Sequence, residues 1–198
     1  MGELSVKFTE EDTALMCTAI ILVIVSAAFF YVTASPKPYQ YYCTIYCINA
    51  WGEPLEYPSN STYGSSGSVM SFLIGVQNHM GCAEYAEVRL KIWNSSNVPS
   101  NASCPAQVWW SDRKYVSDKD EWRLMLNISI LGYSFNDSVG RIESIIVNGQ
   151  ILNGINVCSL SGVFFRVYFE LWLYNENAGN FSYTGRNSYI WFNVTSPS

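Results

Sequence analysis

The chain has 198 residues and a formal net charge of −5. That is long enough for one domain with a true core, and an acidic chain with no Lys/Arg cluster lacks the basic footprint a nucleic-acid partner requires. Charged residues make up 14% and aromatic residues 16%, against roughly 25% charged in an ordinary soluble domain. A surface made of Asn, Ser, Thr and Gly in place of charge suits an exported protein that carries glycans.

Residues 1–13 read as a short tail. Ala14–Ala34 (ALMCTAIILVIVSAAFFYVTA) then runs for 21 residues without a charge. At about 1.5 Å per residue this matches a hydrocarbon core of roughly 30 Å. Phe29, Phe30 and Tyr31 suit the aromatic belt at an interface, and Pro36 and Pro38 stop the helix. We read 14–34 as an uncleaved anchor in the lipid bilayer. A cleaved signal peptide ending at Val32-Thr33-Ala34 is the second reading, opposed by Glu10, Glu11 and Asp12 where a basic segment belongs. A buried core helix is the third. Lys7 and Lys37 lie on either side, so positive charge gives no orientation. Asn-x-Ser/Thr triplets at Asn60, Asn94, Asn101, Asn127, Asn136, Asn180 and Asn193 all follow the helix. They predict N-glycans, a cytoplasmic N-terminus, and an extracellular domain over 35–198 at the cell membrane.

Tyr39–Ile48 has the Tyr, Ile and Thr content of a strand, and Asn49–Ser68 that of a long loop. Val69–Gln77 is a second strand, with a hairpin turn expected at Asn78–Gly81. Tyr85–Trp93 alternates strictly. Tyr85, Glu87, Arg89 and Lys91 form the expected wet face, and Ala86, Val88, Leu90 and Ile92 the buried one. Asn94–Pro105 reads as a loop, Gln107–Trp110 as a short strand, and the charged stretch Ser111–Glu121 as a solvated loop. Trp122–Leu131 is a strand, followed by a polar turn at Ser134–Gly140. Asn148-Gly149 joins Ile142–Val147 to Gln150–Leu152 as a two-residue hairpin. Gly162–Tyr174 is a long aromatic strand, Asn175–Arg186 a loop, and Ser188–Val194 the last strand. Seven to nine strands at short spacing predict an all-β ectodomain, an Ig-like antiparallel β-sandwich preceded by one transmembrane helix. A small Greek-key barrel is the alternative.

Several of these segments follow a recognisable order. The helix ends in Thr33-Ala34-Ser35-Pro36-Lys37-Pro38. A Tyr-rich strand follows, then a Gly-x-Pro-Leu-x-Tyr-Pro stretch within Gly52–Thr62, Gly75–His79 (Gly-Val-x-Asn-His) and Tyr85–Leu90 (Tyr-x-x-Val-x-Leu). Over Val32–Leu90, with a looser echo at Tyr189–Val194, the order resembles the ectodomain of an archaeal membrane-protein family, domain-of-unknown-function family 1616. The resemblance implies a membrane-tethered Ig-like domain of archaeal origin. It carries no activity, and this chain departs from it in having one apolar helix where such proteins have several.

Cys17 lies in the apolar run. Cys43, Cys47, Cys82, Cys104 and Cys158 follow it and are disulfide candidates in an exported domain, with Cys82–Cys104 the preferred pair and one of Cys43 or Cys47 within reach of Cys158. Cys43 and Cys47 share one strand face about 13 Å apart and cannot bond each other. A metal site from Cys43, Cys47, His79 and Cys82 is the sharper reading of the same residues, although their spacing fits no common zinc pattern. Asp112, Asp118, Asp120 and Glu121 are interleaved with Arg113, Lys114 and Lys119, which favours a solvated segment over paired catalytic carboxylates or a calcium loop. No Gly-x-Ser-x-Gly, phosphate-binding Gly loop or His-Glu-x-x-His occurs. We therefore expect no enzyme and no cofactor. Most tryptophans are expected in the core. Trp109-Trp110 is the exception, because strand neighbours face opposite ways and one is then free for a partner. The expected function is a membrane-anchored structural or interaction subunit with a protein partner or self-assembly. A carbohydrate or ligand receptor, a filament subunit donating Tyr39–Ile48, and an ectodomain metal or redox protein are the alternatives.

Overall fold

The computed structural model describes residues 9–35, 41–50, 52, 69–94, 102–136, 139–159 and 164–193. Asn60, Asn101, most of Gly52–Thr62 and the side chain of Asn193 fall outside them. The chain divides into two units, Met1–Tyr39 and Gln40–Ser198.

The first unit is helix α1, Glu10–Ala34. Thr9 caps it. Its hydroxyl accepts from the Asp12 amide at 3.3 Å while the Asp12 carboxylate accepts from the Thr9 amide at 3.1 Å, a reciprocal capping box. No residue of α1 is buried. One apolar helix long enough to cross a membrane is therefore present near the N-terminus.

The second unit is an antiparallel β-sandwich. Its strands are β1 Tyr42–Asn49, β2 Val69–His79, β3 Glu84–Trp93, β4 Val108–Val116, β5 Glu121–Asn136, β6 Val139–Val147, β7 Gln150–Cys158, β8 Phe164–Asn175 and β9 Asn180–Asn193. They form a five-stranded sheet, β1-β2-β5-β6-β7, and a four-stranded sheet, β4-β3-β8-β9. The order β1-β2-β5 opposite β4-β3-β8-β9 matches the A-B-E and C′-C-F-G strands of Ig-like sandwiches, with the β6–β7 hairpin widening the first sheet. The barrel alternative is thereby replaced by two sheets.

The core is the alternating inner set of both sheets. Phe72, Ile74 and Val76 of β2 and Trp122, Leu126 and Ile128 of β5 face Val88, Leu90, Val167, Phe169 and Leu171. The Phe72 and Phe169 rings meet across the sandwich at 6.1 Å. Asn148 and Gly149 hold φ of 47° and 84°, the left-handed pair that a type I′ turn requires, so the expected hairpin is present.

Four expectations change. The polar turn expected at Ser134–Gly140 is strand up to Asn136 and again from Val139. Asn78–Gly81 is not a hairpin turn, because β2 pairs with β1 and β5 whereas β3 pairs with β4 and β8. The chain crosses between sheets there. The buried Asn78 amide fixes the corner by donating to the carbonyls of Cys82 and Val116 at 2.8 Å and accepting from the Met80 amide at 2.9 Å. The charged stretch after Trp110 is not a loop up to Glu121. It is the outer half of β4, an edge strand, where exposed Asp112, Arg113 and Lys114 discourage pairing with another sheet. Much of Asn175–Arg186 is strand as well, since β9 begins at Asn180 after a short turn.

Gly75 serves the five-stranded sheet in a specific way. The Tyr46 ring of the neighbouring strand lies across it, and a Cβ at position 75 would sit 2.0 Å from that ring. The ring's hydroxyl donates to Glu121 at 2.5 Å. We expect Gly75→Ala to displace the ring, break that bond and lower stability by about 1–3 kcal/mol. Urea unfolding monitored by tryptophan fluorescence reads the loss.

Candidate functional site

The outer face of the four-stranded sheet holds the densest set of polar and aromatic side chains. It arises from one alternation in three strands: Tyr85, Glu87, Arg89 and Lys91 in β3, Arg166, Tyr168, Glu170, Trp172 and Tyr174 in β8, and Tyr183, Asn187, Tyr189 and Trp191 in β9. The register sets them in rows across the sheet. At one end Tyr115, Tyr85, Tyr174 and Phe181 form a row of rings, one from each strand, with centroids 4.4, 6.1 and 5.4 Å apart in turn. Tyr115 is 70% exposed.

The next rows carry charge. Glu87 is 2% exposed and accepts from Arg89 Nε at 2.7 Å and Arg113 Nε at 2.9 Å. The Arg89 guanidinium lies 3.8 Å from the Trp172 ring centre, and that of Arg113 lies 4.8 Å from the Phe181 ring. At the far end Arg166 donates to the Tyr168 hydroxyl at 2.6 Å and stacks on Tyr189 and Trp191 at 4.3 and 3.9 Å.

Lys91 and Glu170 lie between these rows, with side chains 5% and 1% exposed and 3.0 Å apart. The loop before β4 closes over them. Lys91 Nζ donates to Ser103 Oγ at 2.6 Å and to the Cys104 carbonyl at 2.7 Å, so all three ammonium protons are placed. Glu170 accepts from Ser103 Oγ at 2.9 Å, the Cys104 amide at 2.5 Å and Trp172 Nε1 at 3.0 Å. The arrangement works as a clasp that fixes the loop to the sheet and stiffens the face beneath it.

The expected wet face of β3 is therefore largely covered at Glu87 and Lys91. The signal lay in β8 and β9, whose charged and aromatic residues fall on the same alternate positions as those of β3. Strands with large side chains on both faces cover one another's polar groups.

Trp109 and Trp110 both pack partly against the core, so neither stands free. The register of β3 with β4 slips between Leu90 and Lys91, pairing Leu90 with Trp110 and Lys91 with Val108. That bulge breaks the alternation on which the expectation rested.

All six cysteines are free thiols. Cys82 lies before the start of β3 and Cys104 beside Lys91 near its end, so seven residues of strand separate the two levels. At about 3.3 Å per residue that is roughly 23 Å, too far for the expected bond. Cys43 is on edge strand β1 and Cys158 on the opposite edge strand β7, four strand spacings or about 19 Å apart. His79 stacks on Tyr42 at 4.6 Å, on the face opposite buried Cys43, so Cys43, Cys47, His79 and Cys82 do not converge. No group of three or more metal-ligating side chains occurs among the described residues. Burial pushes the Cys43 thiol up to about 11 and raises that of Cys47 as well.

Cys82 is exposed, and its thiol donates to Glu84 at 3.2 Å. That bond and the carboxylate's charge raise its pKa by favouring the protonated form. Glu84→Gln removes the charge, so more thiolate forms at pH 8. We expect iodoacetamide to modify Cys82 about threefold faster or more in that variant, read by mass spectrometry of the Cys82 peptide.

Asn127, Asn136 and Asn180 are exposed. The Asn94 side-chain amide instead donates to the Cys158 carbonyl, joining the ends of β3 and β7.

No family model matches the chain, and no curated protein matches it. Among solved structures, the chain is similar to the CARDB domain of the PF1109 protein from Pyrococcus furiosus, crystallised in complex with di-metal ions. The identity is 11%, the match covers 81% of this chain and 95% of that one, and the TM-score is 0.42.

Proposed function

We propose that this chain is a membrane-anchored interaction subunit whose β-sandwich docks a protein partner through the outer face of its four-stranded sheet. The observation that carries the reading is the composition and support of that face. Its open part carries Tyr85, Arg89, Arg113, Tyr115, Trp172 and Tyr174, of the residue types that dominate binding energy at protein interfaces, beside the covered Lys91–Glu170 pair and the buried Arg166 and Tyr168. Such a surface is rigid before it binds, which lowers the ordering cost of association. Helix α1 supplies the anchor. The sequons, all C-terminal to it, favour an extracellular sandwich with N-glycans at exposed Asn127, Asn136 and Asn180.

Other uses of the domain have less support. Trp109 and Trp110, one of them expected to be free for a partner, both pack partly against the core. Tyr42–Asn49 is hydrogen-bonded along its length to β2 of its own chain, which leaves the strand-donor variant without a free donor.

The test is affinity capture of the tagged full chain from detergent-solubilised native membranes. A fixed partner should accompany the wild type and be lost from the Arg113→Ala/Tyr115→Ala variant. Recovery of the wild type as a lone monomer contradicts the proposal.

A further inference from the structure

The outer alternation of the four-stranded sheet holds four cations, Arg89, Lys91, Arg113 and Arg166, against two carboxylates, Glu87 and Glu170. It is a positive face on a chain whose net charge is −5. Glu170 is taken up by Lys91 at 3.0 Å. Glu87 is shared, with Arg89 on Oε2 and Arg113 on Oε1. Among the described residues that leaves Arg166 no carboxylate. It is 7% exposed, it donates to the neutral Tyr168 hydroxyl, and its Nε has no hydrogen-bond partner. Three guanidiniums therefore have one carboxylate between them.

Burial sorts these charges by sign. The Glu87 and Glu170 side chains are 2% and 1% exposed, whereas Arg113 is 51% and Arg89 22% exposed. An approaching molecule thus meets guanidiniums and rings before it meets either carboxylate. Arg113 spends its Nε on Glu87, lies against the Phe181 ring and has Tyr85 beside it. Arg89 spends its Nε and one terminal nitrogen on Glu87 and lies over the Trp172 ring. Asp112 and Lys114 flank Arg113 on the opposite alternation of β4 and offset each other. The terminal N–H groups of a guanidinium form a planar fork that matches a carboxylate. Uncompensated positive charge on a rigid, partly desolvated face selects an acidic partner and disfavours a basic one.

We propose that the partner segment crossing this face is acidic, with Asp or Glu carboxylates pairing to the terminal nitrogens of Arg113 and Arg89. The inference rests on the docking face proposed above and names the chemistry of what docks there. The face already holds one carboxylate, Glu87, between the same two guanidiniums.

The test titrates the full chain, in an uncharged polyoxyethylene detergent, with dye-labelled hexa-glutamate and hexa-glutamine, read by fluorescence anisotropy. Hexa-glutamate should bind saturably although the chain itself is acidic, and hexa-glutamine should not bind. Arg113→Gln should weaken hexa-glutamate binding about fivefold. Glu87 keeps Arg89 in that variant, so no buried charge is stranded, and circular dichroism checks that the sandwich is intact. Arg123→Gln removes the same charge from the outer face of the five-stranded sheet and should leave binding unchanged. No binding of hexa-glutamate, equal binding by Arg113→Gln, or an equal loss in Arg123→Gln overturns the proposal. A heparin fragment that binds where hexa-glutamate does not overturns it in favour of a sulfated glycan. If hexa-glutamate fails while native partner capture is still lost in the Arg113→Ala/Tyr115→Ala variant, the acidic assignment alone falls. If that capture fails as well, the docking face falls with it.

Discussion

Glu170→Ala should lower the unfolding free energy by about 4 kcal/mol, the loss expected when one member of a buried ion pair is removed. The carboxylate is 1% exposed and takes bonds from Lys91, Ser103, the Cys104 amide and Trp172. Truncation leaves the Lys91 ammonium buried without its counter-charge and the Cys104 amide without an acceptor. Lys91→Met alone should cost less, because Glu170 keeps the Ser103, Cys104 and Trp172 donors. The double variant Lys91→Met/Glu170→Ala should lose much less than the sum of the two single losses, since no charge is then stranded. Chemical denaturation of the four proteins in one detergent measures this. Additive losses would show that the two side chains do not act as a pair.

Phe169→Ala should have a comparable effect for a different reason. The ring is 0% exposed and meets Phe72 across the sandwich. Deleting it opens a cavity between the sheets that neither can close without shifting its register. A loss of about 3–5 kcal/mol follows. Phe169→Leu, which keeps most of the volume, should cost less than half as much. Thermal unfolding of both variants separates a packing contribution from a nonspecific effect of substitution. Equal melting temperatures for wild type and Phe169→Ala would mean that the two sheets do not share this core.

Much of the fold is legible in the sequence because the inner alternation of a two-layer sandwich is local. Ala86, Val88, Leu90 and Ile92 can be assigned from period two alone, and Asn148-Gly149 from turn chemistry alone. What the sequence hides is pairing. Nothing within Asn78–Gly81 says that the chain changes sheets there, because the buried Asn78 amide finds one of its partners at Val116. The charged half of β4 reads as loop because edge strands carry charge to protect themselves, and charge is also what marks loops. The site was hidden for a related reason. Glu87 and Lys91 look solvent-facing within β3. They become buried only when β8 brings Glu170 and Trp172 alongside and Ser103 and Cys104 close over them. No cysteine pair is present among the described residues, and separation along and across strands is a quantity that sequence spacing does not supply.

On the proposed reading, the four-stranded sheet's outer face, and not the other sheet's, meets a partner. The direct measurement is site-specific photo-cross-linking in native membranes, with a benzophenone amino acid placed at Tyr115 in one protein and at Met125 in another. Both positions are exposed, 70% and 45% respectively, and Met125 lies on the outer face of the five-stranded sheet. One discrete cross-linked product is expected from position 115 and none from position 125. The same product from both positions, or a product from 125 alone, would contradict it.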